Sequence, residues 1–178
     1  MVDETKLDAE EDIEQDQYLV FMIKNQEYAI QAMRIQEISA MFDIKEVPTA
    51  PTYIEGIMNL RGRLVSIVNF RKRFGFDLKK QDDDTRIIYI ELEGFPIGIV
   101  VDSVEEVIKI TNDKVQNLPE TATTSLSEKY MTGIGMLDKR LIILLDADKL
   151  LDKRELEHIE SVHGKLNEVH TEEVISEQ

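Results

Sequence analysis

Side chains that could perform acid–base, nucleophilic or metal chemistry are few and poorly spaced. His158, His163 and His170 are separated by five and seven positions, so they do not form the i, i+4 pair of a helical metal site. The run of three aspartates at 82–84 lacks the spaced ligands and central glycine of a calcium loop. Ser66 and the other serines lie outside any GxSxG elbow, and no GxxxxGK or GxGxxG motif offers a phosphate cradle. The sequence predicts a protein that is not an enzyme and holds no metal or cofactor.

Length and composition limit the architecture. The chain has 178 residues, of which 42% are hydrophobic, so we expect one body with two lobes rather than two independent domains. Cysteine is absent, which excludes disulfides and thiolate catalysis. No segment approaches the ~18 apolar residues of a membrane span. We therefore expect a cytoplasmic protein with no direct membrane insertion.

The net charge of −15 lies mostly in the two ends of the chain. Residues 1–16 contribute −7 and residues 155–178 contribute −6, which leaves −2 for the body. Acidic segments of this kind are typical of poorly ordered, solubilising tails, and we predict such a tail at 1–16. The basic residues at 71–73 and 79–80 are too few to predict a nucleic-acid surface. We expect no nucleic-acid partner, although small β-barrels that bind single strands remain the alternative class.

The body is a duplicated β unit. One set of matching positions is offset by 77 and another by 69, and the excess of eight residues fits the polar stretch 117–129. The pairs at an offset of 77 are Tyr53 with Tyr130, Gly56 with Gly133, Ile57 with Ile134, Leu60 with Leu137, Arg63 with Arg140 and Leu64 with Leu141. Those at an offset of 69 are Phe21 with Ile90, Ile23 with Leu92, Tyr28 with Ile97, Ile30 with Ile99, Glu37 with Glu106 and Ile38 with Val107.

The duplication provides an internal control, because a position that only maintains the fold should be similar in both copies. Arg61 and the following glycine differ from their counterparts, Asp138 and Lys139. The fold therefore does not require arginine in this hairpin, and Arg61 is the first candidate for function. We also expect an ion pair or a shared interface between Arg61 and Glu37. The counterpart of that glutamate, Glu106, would face Asp138 and lack a partner.

Short alternating strands with turns between them predict an all-β fold of two barrels packed side by side. The predicted domain is 17–154, with lobe one at about 17–80, lobe two at about 81–154 and strand order interleaved across the lobes. After Asp152, apolar residues including Leu156 and Ile159 recur every three or four positions, which predicts an amphipathic helix in the tail 155–178. This helix is expected to pack on the body, with a partner-binding helix as the alternative.

Several motifs together resemble the CheW adaptors of prokaryotic chemotaxis. The main one is Ile54-Glu-Gly-Ile-Met-Asn-Leu-Arg-Gly-Arg-Leu-Val-Ser-Ile-Val-Asn, followed by Gly98-Ile-Val-Val-Asp-Ser-Val and Tyr130-Met-Thr-Gly-Ile-Gly. They follow the run Tyr18-Leu-Val-Phe, and the likeness covers about residues 17–152. Ser66 and Asn69 depart from the common pattern, where proline and aspartate are frequent, but neither changes the signature.

The resemblance implies two SH3-like five-stranded β-barrels and a scaffold that couples chemoreceptors to the histidine kinase CheA. The implied partners are the regulatory domain of that kinase and the cytoplasmic tips of the receptors, which would recruit the protein to membrane-associated arrays. Positions implied to contact partners in the first lobe are Arg34, Ile35, Glu37, Ile38 and Arg61. Positions implied to affect receptor coupling are Gly56, Gly98 and Val107.

Overall fold

The computed structural model describes residues 16–48, 50–118, 129–161 and residue 164. Most of these residues lie in eleven β-strands, as the sequence predicts. The predicted acidic tail at 1–16, apart from its last residue, and the tail beyond 161, apart from residue 164, lie outside the described residues. The strands are β1 Gln17–Ile23, β2 Gln26–Gln31, β3 Ile35–Ala40, β4 Ile54–Leu60, β5 Arg63–Asn69, β6 Arg86–Leu92, β7 Phe95–Val101, β8 Ser103–Lys109, β9 Val115–Gln116, β10 Met131–Leu137 and β11 Arg140–Leu145.

The strands form two sheets with matching topology. Sheet 1 has the order β8-β1-β2-β11-β10-β9, and sheet 2 has the order β3-β6-β7-β5-β4. Each sheet contains one parallel pair, β2 with β11 and β5 with β7, while the other pairs are antiparallel. Without the two-residue strand β9, each sheet has five strands. The predicted all-β class with two five-stranded units is confirmed.

The two copies of the repeat exchange strands between the sheets. In the duplicated unit β1 to β5 correspond to β6, β7, β8, β10 and β11. Sheet 1 therefore takes the hairpin β1–β2 from the first copy and its other main strands from the second, and sheet 2 does the reverse. The strands are interleaved, so the sequential lobe limits of about 17–80 and 81–154 do not coincide with the sheets.

Three apolar clusters cover the faces of the sheets. A central core takes buried side chains from both sheets, among them Phe21 and Ile90, and holds the sheets together. Each sheet also curves around a smaller core of its own, which includes Ile142 in sheet 1 and Ile67 in sheet 2. The mainly apolar central strands are consistent with this arrangement, because both of their faces are buried.

Two short helices contribute apolar side chains to the central core. Helix α1, Phe70–Arg73, begins at Asn69, whose side chain accepts a hydrogen bond from the Lys72 backbone N–H at 3.2 Å. Helix α2, residues 153–161, begins after Asp152. The Asp152 side chain accepts a hydrogen bond from the Glu155 backbone N–H at 2.8 Å. Within 153–161, the apolar face of this helix joins the central core through Leu156 and Ile159, as expected for a helix that packs on the body.

Candidate functional site

The hairpin between β4 and β5 presents Arg61 to solvent. Arg61 has φ of +52° and Gly62 has φ of +85°, the positive values that a two-residue hairpin with a primed turn requires. The Asn59 side chain supports this turn by accepting a hydrogen bond from the Gly62 backbone N–H at 2.8 Å. The Arg61 side chain is 78% exposed. The hairpin therefore displays a charged side chain that contributes little to the core.

Strand β3 lies close enough to this hairpin to share a charged contact with it. Arg61 Nη2 donates to Glu37 Oε1 at 2.9 Å, so the predicted ion pair is confirmed. The neighbouring Ile38 is also exposed, and so is Arg63 at the start of β5. We refer to Glu37, Ile38, Arg61 and Arg63 as the hairpin surface.

The counterpart hairpin in sheet 1 is organised differently. Asp138 has φ of +50°, so the backbone turn is retained although arginine is absent. The expectation that Glu106 lacks a partner is wrong. Arg140 donates to Glu106 at 2.8 Å and to Glu27 at 2.6 Å, and these two carboxylates raise the pKa of its guanidinium, Glu27 having the larger effect. The sequence comparison considered only the turn residues and missed this arginine on the adjoining strand.

Three other residues implied by the resemblance lie apart from the hairpin surface. Arg34 pairs with Asp148 at 2.7 Å, and that hydrogen bond lowers the pKa of the Asp148 carboxyl. Ile35 begins β3 but is partly buried against the central core. Val107 is 56% exposed on β8, in the other sheet. The structure therefore brings together Glu37 and Arg61, with Ile38 next to Glu37 in β3, but it does not bring Val107 to them.

The two glycines of the predicted set are buried. A Cβ on Gly56 would lie 2.1 Å from the backbone oxygen of Lys45, and one on Gly133, its repeat counterpart, would lie 2.9 Å from the backbone oxygen of Gln116. Because the two copies have the same close backbone approach, Gly56 meets the criterion for a residue that maintains the fold. Gly98 is packed beneath side chains of sheet 2. Any effect of these glycines on coupling would be indirect.

A charged cluster that the sequence did not indicate lies where the copies meet. The Arg73 guanidinium lies 4.6 Å from the ring centroid of Tyr53 and 5.1 Å from that of Tyr130, two residues at equivalent repeat positions. Its Nη2 donates to Glu155 Oε1 of α2 at 2.5 Å. Burial raises the pKa of Tyr53 to about 12, and the adjacent Glu155 carboxylate adds to this effect. The cluster joins both copies to α2.

A shallow groove beside α1 contains most of the clustered positive charge. Its volume is about 170 Å³, and its lining includes four basic side chains. Three of them are already paired with carboxylates, so little free positive charge is available to a phosphate backbone. The pairs are Arg71–Asp102 at 2.6 Å, Lys72–Glu55 at 3.2 Å and Lys79–Asp82 at 2.9 Å. The groove therefore lends no support to the nucleic-acid alternative.

The described residues contain neither a cluster of metal ligands nor a helix that could span a membrane. No group of three or more potential metal ligands occurs in this part of the chain. Of the three histidines, His163 and His170 lie outside the described residues. Within the same residues, no helix is both long and apolar enough to span a bilayer.

Comparison with known proteins identifies one family across the body. The model of the CheW-like domain matches residues 17–155. The chain is 34% identical to the chemotaxis protein CheW of Klebsiella aerogenes, over 82% of this chain and 87% of the relative. It is 32% identical to the chemotaxis protein CheW of Thermotoga maritima, over 76% and 87%.

A solved structure supports the same relationship. The scaffolding protein TtCheW from Thermoanaerobacter tengcongensis matches with a TM-score of 0.72 and 29% identity, over 79% of this chain and 95% of that one. The likeness therefore includes nearly the whole length of the solved protein.

Proposed function

The chain belongs to the CheW-like family of chemotaxis adaptors, and we propose that it couples chemoreceptors to the histidine kinase CheA without catalysing a reaction. The observation that carries this proposal is the family match over residues 17–155, which includes every described strand. The names of the relatives and of the structural neighbour, chemotaxis protein and scaffolding protein, support it.

We assign the kinase contact to the hairpin surface. Arg61 and Ile38 are exposed, and Glu37 holds Arg61 from the neighbouring strand. An exposed arginine with only one described carboxylate partner keeps other guanidinium donors for a second protein. The exposed Ile38, which follows Glu37 in β3, can add apolar area to an interface. The regulatory domain of the kinase is the proposed partner.

Coupling then requires only that the contacts made by this protein differ in free energy between two states of its partners. If the protein contacts both receptor tips and kinase, a receptor shift changes the kinase equilibrium by the difference in contact free energy between two states, typically about 1–3 kcal/mol. The shared central core would make the body a rigid link between these contacts. Receptor binding would also recruit the protein to membrane-associated arrays.

The main test is a charge reversal at Arg61. Arg61→Glu should leave the fold intact, because the counterpart hairpin has an aspartate at this position. We expect kinase binding to weaken by about 2–5 kcal/mol if the side chain is desolvated in the complex. Co-sedimentation with receptor and kinase and calorimetry with the kinase regulatory domain measure this. Lys139→Glu, in the other exposed hairpin, is the control, and equal binding by wild type and Arg61→Glu would contradict the assignment.

A double-mutant cycle tests whether Arg61 and Glu37 act as a unit. Because the two side chains are 2.9 Å apart, Arg61→Ala and Glu37→Ala should show a coupling free energy above about 0.5 kcal/mol in kinase binding. Strictly additive losses would mean that each residue contacts the partner independently.

A further inference from the structure

Two arginines at equivalent repeat positions have different surroundings. Arg63 pairs across its hairpin with Leu60, and Arg140 pairs with Leu137 in the same register. Arg140 reaches two carboxylates of sheet 1, Glu27 on the adjacent β2 and Glu106 on the edge strand β8, which fix its guanidinium against the sheet. In that sheet the arginine therefore contributes to the fold.

Arg63 has lost both of these contacts. The position that corresponds to Glu27 is Pro96, which offers no carboxylate. The position that corresponds to Glu106 is Glu37, and its carboxylate accepts a hydrogen bond from Arg61. Within residues 16–48, 50–118 and 129–161, Arg63 has no described hydrogen bond or ion pair, and it is exposed. Both copies therefore have an arginine at this position, but Arg63 lacks the described contacts within the chain that Arg140 makes.

The two hairpins consequently differ in the sign of their charge. The first has Arg61 and Arg63 against one glutamate, a balance of +1. The second has two cations against three acids, a balance of −1. The acids of the second hairpin and its surroundings are Glu27, Glu106 and Asp138. Opposite charges at equivalent ends of the two sheets allow the ends to discriminate between partner surfaces.

We propose that Arg63 is a specificity residue of the hairpin surface and binds a partner-protein patch that bears an exposed carboxylate. A planar guanidinium binds a carboxylate through two parallel N–H···O hydrogen bonds. No described acid within the chain competes for Arg63. This inference rests on the proposed function, since it gives one residue of the same surface a specific role and a chemical preference. The proposed partner is an acidic surface of another protein rather than the chain's own acidic residues 1–15.

The test compares Arg63→Glu and Arg63→Gln with wild type in binding to the isolated regulatory domain of the CheA kinase. We expect Arg63→Glu to weaken binding about tenfold at low salt, with Arg63→Gln intermediate and Lys139→Glu within about twofold of wild type. The loss should appear mainly in the association rate and shrink as salt rises, because exposed charges are screened. A structural role would instead change the melting temperature, which should remain as in wild type.

The outcomes separate the two claims. If the wild-type protein binds the kinase domain and Arg63→Glu binds it equally well, the role of Arg63 is overturned and the proposed function is left in place. A loss that disappears when residues 1–15 are deleted also overturns it, since the occupant is then the chain's own acidic segment. Failure of the wild-type protein to bind either kinase or receptor overturns the proposed function, and the inference with it.

Discussion

The two copies of the duplicated unit have corresponding strands but differ in the turn that follows the last of them. In the first copy this turn is helix α1, with Phe70 and Arg73. The equivalent positions of the second copy hold Ala147 and Leu150, which are buried in the central core. Only the first copy therefore inserts a cation between the two equivalent tyrosines, and Glu155 of α2 provides its counter-ion. The two tyrosines are the same in both copies, so the divergence that creates this cluster lies in the turn that supplies Arg73.

The hairpins show a second kind of divergence. In sheet 1 Arg140 serves the fold through two carboxylates, whereas the equivalent arginine of sheet 2 is unpaired and exposed among the described residues. A duplicated position can therefore keep its residue type and change its role when its neighbours change. The predictions below test these contrasts.

The largest effect is expected at the buried ion pair between α1 and α2. Its side chains are only 9% and 11% exposed, so Glu155→Ala leaves Arg73 buried without its counter-ion and should cost about 3–5 kcal/mol of unfolding free energy. Replacing both by leucine, as Leu150 replaces the arginine in the second copy, should recover most of this loss. Urea denaturation measures both variants.

The exposed Glu157 on the same helix provides the control. Glu157→Ala should change the stability by no more than about 0.5 kcal/mol. A double leucine variant that is no more stable than Glu155→Ala would show that the pair contributes more than charge neutralisation.

A smaller effect is expected where Gly98 occupies the position of Ala29. A Cβ on Gly98 would lie 2.6 Å from Ile67 Cδ1 and 2.9 Å from Ile87 Cγ2, so Gly98→Ala should destabilise the protein by about 1–3 kcal/mol through overpacking. Ala29 is fully buried in the other sheet without this conflict. Adding Ile67→Val removes the clashing methyl group, so the double variant should be more stable than the sum of the single effects. Purely additive losses in chemical denaturation would refute this packing explanation.

The arginine pair should show a still smaller contrast in stability. Arg140→Ala loses contacts with two carboxylates, but its side chain is 38% exposed, so we expect a loss of about 1 kcal/mol. Arg63→Ala should stay within about 0.5 kcal/mol of wild type, because no described contact is removed. Equal melting temperatures for the two variants would remove the stability difference between the hairpins.

The smallest effect is expected at Asp152, the acidic residue at the start of α2. Helix α1 has no equivalent acid, because its cap is Asn69. Burial opposes ionisation of Asp152, but hydrogen bonds from Glu155 and Lys129 lower its pKa to about 2. A carboxyl with a lowered folded-state pKa stabilises the fold above its unfolded pKa of about 4, and this contribution is lost as the pH falls towards about 2.

Asp152→Asn keeps a good N-cap but removes the titration. The stability difference between wild type and Asp152→Asn should therefore decrease between about pH 4 and pH 2. Denaturant titrations at several pH values measure it, and a constant difference would exclude Asp152 as the responsible group.

Local patterns predicted most strands well because alternation and turn residues act over a few positions. The strands Gln17–Ile23 and Phe95–Val101 are rich in apolar residues that favour strands, and α1 is capped by Asn69, a residue type that favours helix N-caps. The contact between Glu37 and Arg61 was also predictable, since the hairpin and β3 belong to one repeat. The assignment of the predicted site residues to partner contact stays a prediction.

Long-range pairing was not predictable in the same way. Arg73 and Glu155 are 82 positions apart, and neither differs in type from an ordinary surface charge. The expected absence of a partner for Glu106 had a different cause: that prediction considered only the turn residues, whereas the partner, Arg140, follows the turn on β11. Contacts such as the Arg73–Glu155 pair are different again. Such contacts depend on how strands from different parts of the chain are arranged in one sheet.

The sequence by itself determined the duplication, the strands and the hairpin that displays Arg61, because these follow from residue period and turn chemistry. Tertiary structure alone decided which copy provides each hairpin to each sheet. Both copies present similar apolar strands, so alternation cannot distinguish pairing within a copy from pairing between copies. Hydrogen bonding and the shared central core make that choice. Among the residues that the structure describes, the choice leaves Arg63 unpaired while Arg140 has two carboxylate partners.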